Sequence, residues 1–399
     1  MMKISYLVER LQDVKLKDWL SIFPMFLALC LRPFYRFRYA DTWLVCEEPA
    51  EARDNGYHFF RYMRQTHPDR HVLYAIKRRS VDYAKVRQLG SVIEYGSLRH
   101  WIVYFCCQFN ISSNKGGKPN AAVCQFFELN GIFKVRNIFL QHGVIINDLR
   151  WLYADRSFIE CFITSSVSET RYVEDRFGYP AGTIRMFGLS RFDALHEPRP
   201  ERRRIVIMPT WRYWFNINSK KHSDTASDVA HSEYICRWRS LLSSPRLQAL
   251  AEQYDFDVVF YPHHNIQPYL HLIGEVQPAV TVASWCDHDI QDVLKSAHLL
   301  ITDYSSVFFD VVYMRRPVLF YQFDEEKYRK YQYGKGYFDY HDNPFGQWCD
   351  DENALLSLIE QSAQHDFAVS EAFLDAHKKE FPLYDTHNSE RLYNHLATI

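Results

Sequence analysis

The chain has 399 residues, 47 Lys+Arg against 48 Asp+Glu for a formal charge of −1, and 16% Phe, Trp or Tyr. That length suggests two or three domains, and 47% apolar residues exclude a disordered, collagen-like or disulfide-stapled chain. The near-zero charge argues against nucleic acid as the main partner, and nine cysteines with no C-x-x-C pair fit reduced, cytoplasmic thiols.

Residues 1–40 open the chain with an apolar run of 13, Trp19 to Leu31, flanked by Lys15, Lys17, Arg32, Arg36 and Arg38. The run is shorter than the roughly 20 residues of a spanning helix, and it continues into Arg32-Pro33 with no small-residue cleavage site, so export is not expected. Residues 1–40 carry +4, leaving −5 for the rest. A basic, aromatic segment of this kind suits the headgroup region of an anionic membrane; a core helix with a solvated basic turn is the alternative.

From residue 42 onward, short apolar runs alternate with amphipathic stretches. TWLVC (42–46), HVLYAI (71–76), SVIEY (91–95), FNIS (109–112), NIFL (137–140) and CFIT (161–164) read as buried strands, with helices over 56–66 and 166–177. The Pro- and Arg-rich EPRPERRR (197–204) marks a linker. Beyond it IVIM (205–208), VVFY (258–261), HLLI (298–301) and PVLFY (317–321) repeat the alternation, with helices over 246–254, 290–297 and 306–313; the polar stretch 216–232 reads as a mobile loop. The pattern predicts two α/β halves with parallel sheets, over residues 41–196 and 197–399, and places ligands beyond the carboxyl ends of the strands in the cleft between the halves.

Four motifs stand at such strand ends. Gln141-His142-Gly143 follows NIFL and offers a proton acceptor beside a glycine that allows close backbone approach. Tyr261-Pro262-His263-His264 follows VVFY; adjacent histidines point apart on extended backbone, so a phosphate donor is expected there rather than a zinc site. TDYSSVFFD (302–310) follows HLLI and opens a helix. There Ser305, Ser306 and backbone N–H groups suit a diphosphate, and Asp310 lies one turn below to meet a ribose or donor hydroxyl. Pro209-Thr210-Trp211-Arg212 ends IVIM, and GLSRFD (188–193) supplies Arg191, so that two guanidinium groups would offset diphosphate charge without a metal or cofactor.

With QHG, PTWR, YPHHN and TDYSSVFFD in this order, followed by RRPVLFYQFD (315–324) and GYFDY (336–340), the sequence resembles the CDP-glycerol glycerophosphotransferase family of teichoic-acid and capsule polymerases. The resemblance implies a GT-B-type fold of two Rossmann-like domains, peripheral attachment to the cytoplasmic face of the membrane, and transfer of glycerol phosphate from CDP-glycerol to a polyol-phosphate, saccharide or lipid-linked acceptor. It also implies His142 as general base, with Gly143 beside it, and His263 with Pro262 at the donor diphosphate. By the same resemblance Ser305, Ser306 and Asp310 are expected to bind the donor, with Arg212 and Arg191 nearby, and Thr210 of the PTWR motif is a further expected contact. Val144 stands where the family often has Thr, and His264 where it often has Pro. A CDP-ribitol or nucleotide-sugar donor on the same fold, and a non-catalytic assembly partner, are the competing expectations.

Overall fold

Runs of Val, Ile, Leu and aromatic residues bury both faces only when helices cover a sheet on each side, and short parallel strands follow. The computed structural model describes residues 16–215 and 226–399. In chain order its strands are β1 Trp43–Cys46, β2 Val72–Ile76, β3 Val92–Glu94, β4 Phe109–Ser112, β5 Asn137–Phe139, β6 Asn147–Asp148, β7 Cys161–Thr164 and β8 Ile184–Met186. They continue with β9 Arg203–Ile207, β10 Phe256–Phe260, β11 Val280–Val282, β12 Leu299–Thr302, β13 Val318–Tyr321, β14 Gly334–Lys335 and β15 Gly346–Cys349. Every run read as a strand is one, within two residues at either end. Residues 216–225 of the expected loop lie outside the described residues, and the rest of that stretch carries the helix Ala226–Ala230.

The chain divides into two compact units, and the division is not a single cut at the linker. One comprises the residues up to Val144, Arg150–Ala194 and Asp385–Ile399; the other comprises Ile145–Leu149 and Leu195–Tyr384. The first holds a parallel sheet in the order β3-β2-β1-β4-β5-β7-β8. Side chains alternate across it: Trp43 and Val45 pack with Phe59, Phe60, Met63 and Leu396 on one face, and Leu44 and Cys46 with Trp101, Tyr104 and Met25 on the other. The order reverses between β1 and β4, so loops leaving neighbouring strands diverge there and leave room for a site.

Within this unit the helix Ile22–Tyr39 lies against Leu98–Cys106, burying Met25, Ala28 and Tyr39. Phe23, Phe26, Phe34 and Phe37 are exposed, Phe37 to 92%. By length and composition alone Asp18–Tyr39, 22 residues, is long and apolar enough to cross a membrane, longer than the 13-residue apolar run within it. The C-terminal helix Asn388–Thr398 docks through Asp193 of the GLSRFD motif, whose carboxylate accepts from the backbone N–H groups of Asn388 and Ser389 (2.8 and 2.9 Å). Gly188 of the same motif has φ +84°, and a Cβ there would lie 1.8 Å from Asn388 Oδ1.

The second unit holds the parallel sheet β11-β10-β9-β12-β13-β15, again with a reversal, between β9 and β12. Trp238, Leu241, Leu250 and Ile359 cover one face through Ile205, Ile207, Val258 and Ile301. The short strand β6 pairs antiparallel with β14, and Arg329 Nη1 donates to Asn147 Oδ1 at 2.8 Å. Gly336 of the GYFDY motif is glycine for a steric reason: a Cβ would stand 2.2 Å from Ile146 O.

Gly188→Ala meets both the positive φ and the Asn388 overlap. It is expected to lower stability by about 1–3 kcal/mol in denaturant unfolding. An unchanged midpoint would show that the C-terminal helix does not dock on this turn.

Candidate active site

In the first unit β1 runs into Glu47, β4 into Ser113 and β5 into the Gln141-His142-Gly143 turn, with His142 strongly exposed and Gly143 half-buried. Asp54 is the N-cap of the helix Asn55–Thr66, where its carboxylate meets unsatisfied backbone N–H groups. Its Oδ1 accepts from Asn55 N at 2.7 Å and from Arg191 Nη1 at 2.8 Å. Its Oδ2 lies 2.6 Å from His142 Nδ1. The His142 side chain is otherwise 82% exposed, so the edge carrying Nε2 faces outward.

The charge pattern follows from these contacts. The Asp54 carboxylate raises the His142 imidazole to about 9, opposed by desolvation of the ring and by Arg191. Burial pushes Asp54 upward, but the charge and hydrogen bond of His142, with Arg191 and the Asn55 N–H, outweigh it and hold Asp54 below its ordinary value. A proton on Nδ1 shared with Asp54 leaves the Nε2 lone pair as the basic position. Beneath the pair lies Glu47, buried and bonded to Tyr57 N (3.0 Å), Ser113 Oγ (2.9 Å) and Tyr74 OH (2.7 Å). Burial first, and then the charge of Asp54, raise its carboxyl to about 7.

In the second unit Thr210 lies in the loop after β9 and Asp303 directly after β12, at the strand-order reversal. Asp303 Oδ1 accepts from Thr210 N at 2.7 Å and from Tyr304 N at 2.6 Å, joining the two loops. Thr210 Oγ1 is buried with no hydrogen-bond partner among the described residues. His263 is half-buried beside the buried Pro262, and its Nδ1 accepts from Asn265 N at 3.2 Å. The neutral ring therefore carries its proton on Nε2, as a donor. Ser305 and Ser306 are half-buried in the turn before the helix Phe308–Tyr313, and Ser305 Oγ accepts from Val307 N at 3.3 Å. The helix thus starts two residues later than expected.

Three expectations need correction. Arg212 is fully buried: Nε and Nη2 grip Asp324 at 2.7 and 2.9 Å, and Nη1 lies 2.9 Å from Asp303 Oδ2. Its guanidinium stacks near the rings of Tyr234, Tyr304 and Tyr328 at 4.7–5.4 Å. It braces the loops of β9 and β12 and has no fork to offer a phosphate. Arg191, 5% exposed, is spent on Asp54 and on His142 O (2.8 Å), again beneath the site. Asp310 is fully buried at the start of its helix and presents no carboxylate at the surface.

Asp54, Asn55 and Glu47 were not singled out by sequence. Asp-Asn-Gly before an amphipathic stretch is a readable N-cap. The 88-residue jump from Asp54 to His142 is not.

Residues 28–398 match the family described as CDP-Glycerol:Poly(glycerophosphate) glycerophosphotransferase. The chain belongs to this family. Among similar proteins, the minor teichoic acid biosynthesis protein GgaB of Bacillus subtilis (strain 168) is 28% identical over 378 residues, 92% of this chain and 41% of its own length. The teichoic acid ribitol-phosphate polymerase TarK of Staphylococcus aureus (strain NCTC 8325 / PS 47) is 29% identical over 306 residues, 70% of this chain and 53% of its own length. The chain therefore spans only about half of these relatives, or less. A solved variant of the wall teichoic acid polymerase TagF gives a TM-score of 0.66 at 17% identity, over 96% of this chain and 98% of that one. Anabaena HepE in complex with UDP gives 0.51 at 9% identity, over 90% and 99%. At these identities the likeness is one of fold, and the fold is of the expected GT-B type.

For this member of the glycerophosphotransferase family, Asp54→Asn removes the charge that raises His142. In an NMR titration the His142 pKa is expected to fall from about 9 toward the ordinary value of about 6.5. An unshifted titration would mean that Asp54 does not govern the ring.

Proposed function

We propose that the protein transfers glycerol phosphate from CDP-glycerol to a hydroxyl of a polyol-phosphate, saccharide or lipid-linked acceptor in teichoic-acid-like or capsule polymer synthesis, releasing CMP. The observation that carries this reading is the Asp54–His142 pair in a chain of this family: a basic nitrogen held in one orientation on an exposed strand-end turn. In the proposed step, His142 Nε2 takes the acceptor hydroxyl proton. The oxygen forms a bond to the β-phosphorus, and the bond from that phosphorus to the bridging oxygen breaks. CMP leaves with the electron pair. His263 Nε2–H, the Thr210 hydroxyl and the Ser305/Ser306 turn are the groups proposed to hold the diphosphate. Arg212 and Arg191 act from below, by fixing the loops and Asp54.

CDP-ribitol is the second reading, favoured by the likeness to TarK over 70% of this chain. Incubation with CDP-glycerol, CDP-ribitol and nucleotide sugars separates the donors, since phosphotransfer releases the nucleoside monophosphate and glycosyl transfer the diphosphate. CMP from CDP-glycerol is the expected result, and His142→Ala is expected to lose about 10²–10⁴-fold in turnover. Nucleoside diphosphate as product, or a fully active His142→Ala, would overturn the reading.

We further propose that the protein sits peripherally on the cytoplasmic face of the membrane through the exposed aromatic side of Ile22–Tyr39, with Arg32, Arg36 and Arg38 near anionic headgroups. Phe34→Glu combined with Phe37→Glu changes only exposed residues. The double variant is expected to stop co-floating with phosphatidylglycerol-containing vesicles. Undiminished flotation would contradict this attachment.

A further inference from the structure

The turn that carries His142 is held by side chains with no part in the proposed chemistry. Gln141, immediately before it, has φ +65°, a left-handed conformation that costs a residue with a Cβ about 1–2 kcal/mol and persists only where surroundings enforce it. Those surroundings are specific. Gln141 is 1% exposed. Its carbonyl accepts from Asn55 Nδ2 at 2.8 Å, and its amide Nε2 donates to Glu169 Oε1 at 3.0 Å and to Ile163 O. Asn55 Oδ1 in turn accepts from Arg191 N at 3.0 Å.

Glu169 is fully buried in the first turn of the helix Val167–Arg176. Its N–H is bonded to the N-cap Ser166 Oγ at 3.4 Å, and its Oε2 accepts from Ser165 N at 2.8 Å and from Ser165 Oγ at 3.2 Å. Ser166-x-x-Glu169 is thus a capping-box pattern whose carboxylate reaches one residue further back than the N-cap. The other carboxylate oxygen grips Gln141. On the opposite side, two consecutive residues at one helix start do paired work. Asp54 holds His142 Nδ1, and Asn55 holds the carbonyl of Gln141.

We infer that Gln141 and Glu169 are positioning residues for His142, locking the left-handed turn that aims Nδ1 at Asp54. The kinetic consequence rests on the CDP-glycerol reaction proposed above; the geometric one does not. In Gln141→Ala the latch is lost while the Cβ still disfavours positive φ, so the turn relaxes and His142 leaves Asp54. In Gln141→Gly the latch is lost but positive φ is unhindered, so the turn is partly kept and the fold is spared the strain.

The test titrates His142 by NMR in the wild type and both variants, and measures kcat and KM for CDP-glycerol in parallel. Expected are a His142 pKa that falls toward the ordinary histidine value in Gln141→Ala and less so in Gln141→Gly, and a kcat reduced about 10- to 100-fold in Gln141→Ala with KM little changed. Rescue by glycine is the signature that packing alone would not produce. An unaltered His142 titration in folded Gln141→Ala, or a shift as large in Gln141→Gly as in Gln141→Ala, overturns the inference, whatever the turnover. A wild type that releases no CMP while the titration still shifts would sink the reaction and keep the positioning role.

Discussion

The 2.6 Å contact between Asp54 Oδ2 and His142 Nδ1 is the interaction on which the candidate chemistry depends. A histidine on an exposed turn has two nitrogens and many orientations. A carboxylate fixed at a helix N-cap removes that freedom, selects the nitrogen that keeps the proton, and strengthens the other as a base. The same carboxylate would be poorly placed without Arg191 on its other oxygen and the Asn55 N–H behind it. The local fold therefore converges on one acidic side chain from three directions.

A comparable arrangement supports the loops at the strand-order reversal of the second unit. Arg212 between Asp303 and Asp324, faced by three tyrosines, is an ion cluster removed from water. Breaking a buried pair by removing one partner is typically destabilising by about 3–5 kcal/mol. Asp303 also accepts the backbone N–H of Thr210, so the ends of β9 and β12 share one anchor at the strand-order reversal. In both units charged residues close to a candidate site hold its loops: Asp54 with Arg191 in the first, and Asp303 with Arg212 and Asp324 in the second.

That arrangement explains what the sequence made legible and what it concealed. Strand runs such as FNIS and CFIT read correctly because burial on both faces demands apolar residues regardless of context. β8, β11 and β15 were not read: Ile184-Arg185-Met186 and Gly346-Gln347-Trp348 carry polar residues or glycine in edge strands, where one side needs no neighbour. His142 and His263 stood out in the sequence because each comes shortly after a strand, in the loop beyond its carboxyl end. Arg212 and Arg191 looked like phosphate ligands because sequence gives charge without partners, and Asp324 and Asp54 lie 112 and 137 residues away along the chain. The role of Gln141 was hidden for a related reason, since a positive φ on a non-glycine residue leaves no mark in composition.

If His142 acts as a base whose affinity for the proton is set by Asp54, the pH dependence of kcat/KM for CMP release carries the mark of that pairing. The imidazole must lose its proton to act, so activity carried by a raised pKa increases with pH through that value. The expected profile is a single-proton rise from neutral pH that levels near about 9. A profile already flat above neutrality, with its acid limb at the ordinary histidine value near about 6.5, would contradict it.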